Sequence, residues 1–153
     1  MMARFSAQAE NSLRRAGWYS GRHVPDLVTS WKETLLRSDG LEMFPSAESA
    51  LLEFGGLKFD EQGPGVTCAR SPFALDPTLL IHESDRFEDF VSVLNTNLYP
   101  LGEADGGLCF VVIGENGHIY LLEQDEVMLI GRDMEDGLES LLIGRLGETI
   151  RLP

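Results

Sequence analysis

Residues 98–123 read LYPLGEADGGLCFVVIGENGHIYLLE, and this stretch decides the fold. Three apolar, β-branched and aromatic runs (LYPLGE, LCFVVIG and HIYLLE) are split by the turn-formers ADGG and ENG. Runs of this length bounded by Gly, Asn and Asp predict strands joined by tight turns. Asn116-Gly117 suits a hairpin because both residues tolerate positive φ. VMLIG (127–131) adds a fourth strand.

Helical spacing dominates on either side of the strands. Phe5, Ala9, Leu13 and Ala16 share one face of a helix over Ser6–Ala16, with Gly17 as its stop. A second helix opens at Pro25 and carries Leu27, Val28, Trp31 and Leu35; RSDG ends it. A third begins near Ser46, with Ala47, Ala50, Leu51 and Phe54 at i, i+3, i+4, i+7. A fourth covers Ser84–Leu94, and its stripe is Phe87, Phe90, Val91 and Leu94. Asp133 is read as the cap of a last helix, with Asp136 three residues on in an imperfect capping box. Gly137 inside that helix costs about 1 kcal/mol against Ala.

In LLEFGGL (51–57), Gly55 is read as the left-handed residue that ends the third helix, and Gly56 as the close turn into a strand. Glu53 points to solvent. A phosphate cradle is disfavoured, because such loops precede a helix N-terminus and this pair follows a C-terminus. Leu57–Phe59 is expected to pair with Val66–Ala69 across DEQGPG, and SPFALD (71–76) to be extended and irregular. The order is helices, an antiparallel meander, then a helix. That is α+β: one domain over 1–153, with an antiparallel-rich mixed sheet packed against helices.

The chain has 153 residues and 43% hydrophobic content, which suits a globular domain with its own core. No apolar run approaches a membrane span, and the start lacks the apolar stretch of a secretory signal. Both point to the cytoplasm. Cys68 and Cys109 are expected as buried reduced thiols. Formal net charge is −13. Residues 1–40 carry +2, whereas residues 81–140 hold fourteen Asp/Glu against two Arg. Such a surface repels nucleic acid and anionic membranes and steers a basic macromolecule toward itself. Plain solubility is the competing account.

Catalytic patterns are missing. There is no phosphate-loop motif, no GxGxxG unit, no C-x-x-C and no H-E-x-x-H. GWYSG (17–21) has its serine one place too late for a nucleophile elbow. His23, His82 and His118 stand singly in unrelated segments. Glu103 and Asp105, and Glu123, Asp125 and Glu126, lack the spacing of an EF-hand and read as solvated turn acids. Trp18, beside Arg22, is either a protein-binding hot spot or a core plug with Arg22 capping a helix carbonyl; the second is favoured. No cofactor or metal is implied, and the residues lean toward a binding protein.

GWYSGR (17–22), Trp31, LLEFGGL (51–57), GPGVTCARSPF (63–73), LYPLGEADGG (98–107), GHIY (117–120) and LIGRDMEDGLESLLIG (129–144) occur in this order. Together they resemble the third subfamily of the SUKH superfamily, bacterial immunity proteins of polymorphic toxin systems. The resemblance covers Gly17 to Gly144. It implies a non-catalytic α+β fold that binds and neutralises a cognate toxin, often a nuclease or nucleic-acid deaminase. Trp18, Arg22, Trp31, Phe54, Gly55, Gly56, Gly102, Glu103, Gly117 and Tyr120 then fall on motif positions with structural roles. Glu83, Asp85, Glu88, Asp89, Glu123, Asp125, Glu126, Glu135 and Asp136 are the candidate partner contacts, able to cover a basic toxin groove. A regulatory scaffold of the same fold is the alternative. A small hydrolase using Glu103, Asp105 or His118 is a third reading. Gly137 departs from the better helix former expected there and puts the last helix's stability in doubt.

Overall fold

A computed structural model describes residues 3–151, without the side chain of Arg151. Five helices and nine strands are formed among these residues. The helices are α1 (Ala7–Ala16), α2 (Pro25–Asp39), α3 (Pro45–Phe54), α4 (Asp85–Leu94) and α5 (Met134–Ile143). The strands are β1 (Lys58–Phe59), β2 (Gly63–Pro64), β3 (Ala69–Arg70), β4 (Phe73–Ala74), β5 (Leu98–Ala104), β6 (Cys109–Gly114), β7 (Ile119–Glu123), β8 (Glu126–Gly131) and β9 (Glu148–Arg151). Seven strands make one sheet in the order β1-β4-β5-β6-β7-β8-β9, and β2 pairs with β3 in a separate ribbon. Every pairing among the described residues is antiparallel. The α+β class expected from the sequence is the one observed.

The central strands read as continuous apolar runs because both faces of the sheet are covered. Side chains alternate between faces along a strand. Tyr99, Leu101, Val111, Ile113, Ile119 and Ile130 therefore pack with α1, α2, α3 and α5 in one core. Leu98, Phe110, Val112, Tyr120, Leu122 and Val127 meet Phe87 and Phe90 of α4 in the other. The result is three layers, with the sheet in the middle.

Caps explain the helix ends. Ser6 accepts from Ala9 N at the start of α1, and Asp133 accepts from Asp136 N at the start of α5. Gly17, Gly40 and Gly144 close α1, α2 and α5 in the left-handed conformation, and Asn95 does so for α4.

Several expectations are corrected. Gly55 has φ −59°, so it is not the left-handed residue; Gly56 is, at φ +87°. Gly55 is needed for a different reason: a Cβ there would stand 2.5 Å from both Leu51 O and Trp31 Cζ3. Glu53 does not point to solvent. It accepts from Arg4 Nη1 at 2.8 Å and from Trp18 Nε1 at 3.0 Å. β1 pairs with β4, not with Val66–Ala69, and the SPFALD segment thereby supplies a strand that bridges β1 to β5. Cys68 lies in a bend, outside any strand. Only Gly117 of the Asn116-Gly117 pair takes positive φ, because the turn runs from Gly114 O to Gly117 N and Asn116 instead accepts from His118 N. The chain also does not end on α5: β9 adds an outer strand beside β8.

α5 forms over Met134–Ile143 with Gly137 inside it. A Cβ on Gly137 would lie 2.7 Å from Ile119 Cγ1, and one on Gly131 would collide with the backbone of Gly137. Two glycines let the helix rest directly on the sheet. Gly102, at the bulge in β5, lets the end of β4 come close, since a Cβ there would collide with the Ala74 carbonyl.

Candidate partner-binding face

Of the motif residues, Trp18, Trp31, Phe54 and Tyr120 are buried. Trp18 is buried, meeting Phe5 edge to face at 5.9 Å between centroids, and its indole N–H is satisfied by Glu53. Arg22 Nη1 donates to the Glu53 carbonyl at 2.7 Å, so the guanidinium caps the last turn of α3. The core-plug reading of this pair is therefore the correct one. Phe54 and Trp31 lie in the same core, and Tyr120 is buried on the opposite face beside His118, whose Nδ1 is 3.4 Å from the phenol oxygen. Burial pushes the Glu53 carboxyl up, but the hydrogen bonds from Arg4 and Trp18 and the charge of Arg4 outweigh it, leaving the pKa below the ordinary value.

Two of the expected contact residues, both more than 40% exposed, also make ion pairs within the fold. Glu135 accepts from Arg4 Nε at 2.7 Å, and Arg4 also grips Glu53, so α5 is tied to α3. Asp136 accepts from Arg145 Nη2 at 2.7 Å. Glu83 pairs loosely with Arg86 at 3.8 Å, while Asp85, Glu88 and Asp89 are exposed on α4.

The antiparallel register gathers other acids at one end of the sheet. Ala104 faces Cys109 where β5 turns into β6, and Glu123 faces Glu126 where β7 turns into β8. Glu103, Asp105, Glu123, Asp125 and Glu126 thus share that end. Its field is felt inside: burial, then Glu123 and Asp105, push the Cys109 thiol up to about 11. His118 stands at the far end of β7, away from Glu103 and Asp105. Among the described residues no group of His, Cys, Asp and Glu is placed to hold a metal.

The opposite end of the sheet carries a feature that the sequence did not announce. The connection Gly40–Phe44 between α2 and α3 and the near face of α4 enclose an open groove of about 780 Å³. Leu41, Met43, Phe44, Phe87, Val91 and Leu98 supply its apolar lining. Among the described residues its charged lining is Asp39, Glu42, Glu88 and Glu115, without a Lys or Arg. Of these only Glu88 was expected. The signal that was available is SDGLEMF (38–44), where apolar residues and acids alternate in a connection too short to bury them.

Among the described residues no helix is long and apolar enough to cross a membrane. Neither the curated proteins nor the solved structures hold a significant match to the chain. The family model of the SUKH-3 immunity proteins matches residues 5–144, and the chain belongs to that family.

Proposed function

We propose that this protein binds and neutralises a cognate bacterial toxin by stoichiometric association in the cytoplasm, and that the toxin domain acts on nucleic acid. Family membership supports the immunity role. The observation that carries the finer reading is the charge distribution: fourteen acids against two arginines over residues 81–140, about half of them at the two ends of the sheet. A nuclease or nucleic-acid deaminase must present cations to its polyanionic substrate. An acidic protein covering that groove excludes the substrate and reaches its target by electrostatic steering. The protein's part is binding, without a catalytic step.

Co-expression with the toxin domain encoded by a neighbouring gene, followed by a pull-down and a growth assay, tests the proposal. A one-to-one complex with restored growth is expected, with association slowing as salt rises. A toxin that is bound neither in the pull-down nor in cells sinks the reading for that pair.

A further inference from the structure

We propose that the groove between the α2–α3 connection and α4 seats a cationic, amphipathic segment of the partner protein, with Asp39 as its buried anchor. The inference rests on the binding role above and names the surface and chemistry that serve it.

Asp39 is the observation that singles out this place. Its side chain is 1% exposed. Oδ2 accepts the backbone N–H of His82 at 2.8 Å, whereas Oδ1 is buried with no hydrogen-bond partner among the described residues. His82 Nδ1 is 3.7 Å away, beyond hydrogen-bonding reach, and the His82 side chain is 79% exposed. A buried carboxylate oxygen without a donor is costly, and an incoming donor removes that cost. The surroundings select the donor. Leu41, Met43, Phe44 and Val91 offer partly exposed apolar surface along which the aliphatic stem of Lys or Arg lies, and Glu42, Glu88 and Glu115 wait at the rim for further cations. Polyanions and anionic membranes are repelled from such a groove. A second copy of this chain, at net charge −13, is repelled as well.

The acids at the other end of the sheet have no counterpart of Asp39, a buried carboxylate oxygen without a donor among the described residues. Asp105, Glu123, Asp125 and Glu126 stand exposed on tight turns. Exposed charges contribute to encounter rate more than to affinity. We therefore assign steering to that end and seating to the groove.

The test uses the whole protein, isotope-labelled, titrated with a peptide of about 14 residues, roughly four helical turns, carrying Leu and Arg at helical spacing. A Glu-for-Arg peptide is the control. Amide shifts centred on 39–44, 84–92 and 97–98 are expected, with none from the control. Glu42→Lys with Glu88→Lys, both exposed positions, should weaken the peptide by about tenfold or more, and Glu123→Lys with Glu126→Lys by less than about threefold. Asp39→Asn, which keeps an oxygen for His82 N–H, should weaken it without loss of fold as read by thermal melting. Shifts centred on 103–108 and 123–126, the reverse order of the two double variants, or no binding would overturn the inference. The two proposals fail separately. A toxin bound equally well by the Glu42→Lys/Glu88→Lys protein removes the groove and leaves the immunity role. A peptide seated in the groove beside a toxin that is not neutralised does the opposite.

Discussion

The backbone of Gly55 lies against the indole of Trp31, so that a Cβ on Gly55 would stand 2.5 Å from Cζ3 and 2.9 Å from Cη2. This contact sets how closely the end of α3 approaches α2. Gly55→Ala should destabilise the fold by about 3 kcal/mol through overpacking of a rigid ring and the Leu51 carbonyl. Gly56→Ala should cost only about 1–2 kcal/mol, from strain at positive φ. Trp31→Phe, which removes the clashing ring atoms, should make Gly55→Ala less costly than in the parent. Urea denaturation of the four proteins measures the coupling; strict additivity would show that the contact does not limit the approach.

Gly137 and Ile119 stand in the same relation between α5 and β7. Alanine is the better helix former by about 1 kcal/mol, yet Gly137→Ala should lower stability by about 1 kcal/mol net, because the overpacking term of about 2 kcal/mol is larger. An increase in melting temperature would show that the sheet gives way more easily than the 2.7 Å approach implies.

The Arg4–Glu53–Trp18 cluster predicts a pH dependence. The Glu53 pKa is lowered in the folded protein from an ordinary 4.5. Its stabilisation is therefore fully present above pH 4.5 and is lost as pH falls through the lower folded value. Glu53→Gln should cost about 1 kcal/mol at neutral pH, modest because Arg4 and Glu53 are partly solvated. That difference should shrink toward zero in acid. A difference that is constant from pH 7 to pH 3 would assign the loss to packing.

Cys109 should resist alkylation in the native state. Its thiol is half-buried and is held near pKa 11 by burial and by the neighbouring carboxylates of Glu123 and Asp105. The thiolate is the nucleophile, so labelling at pH 8 should be slowed at least about tenfold relative to the unfolded chain. Iodoacetamide labelling with peptide mapping reads this residue separately from Cys68. Replacing Glu123 with Gln should speed it modestly.

Periodicity carried much of the architecture. The stripes of α1, α3 and α4 and the β5–β8 meander were legible because burial repeats at the spacing of the backbone geometry. The cap at Asp133, and the stops at Gly17 and Gly40, were legible because each acts on neighbours within four residues. The pairing of β1 with β4 was not, since two-residue strands have no period and their partner is chosen by where β5 lies. The two glycines of LLEFGGL were identified as special but given each other's reasons. A local reading counts backbone conformation, while Gly55 answers to an indole twenty-four positions away in the chain.

What the sequence alone determined was the α+β class, the strong negative charge and the family resemblance, all of which depend on residue type, order and local spacing. Only the tertiary structure decided how the charge is arranged. It drew Glu135 and Asp136 into ion pairs with Arg4 and Arg145, carried Glu123 and Glu126 to one end of the sheet, and brought Asp39, Glu42, Glu88 and Glu115 together at the other. The physical reason is reach. Helix and strand propensities act across a few residues, whereas a groove forms from segments that the antiparallel sheet brings together from distant parts of the chain.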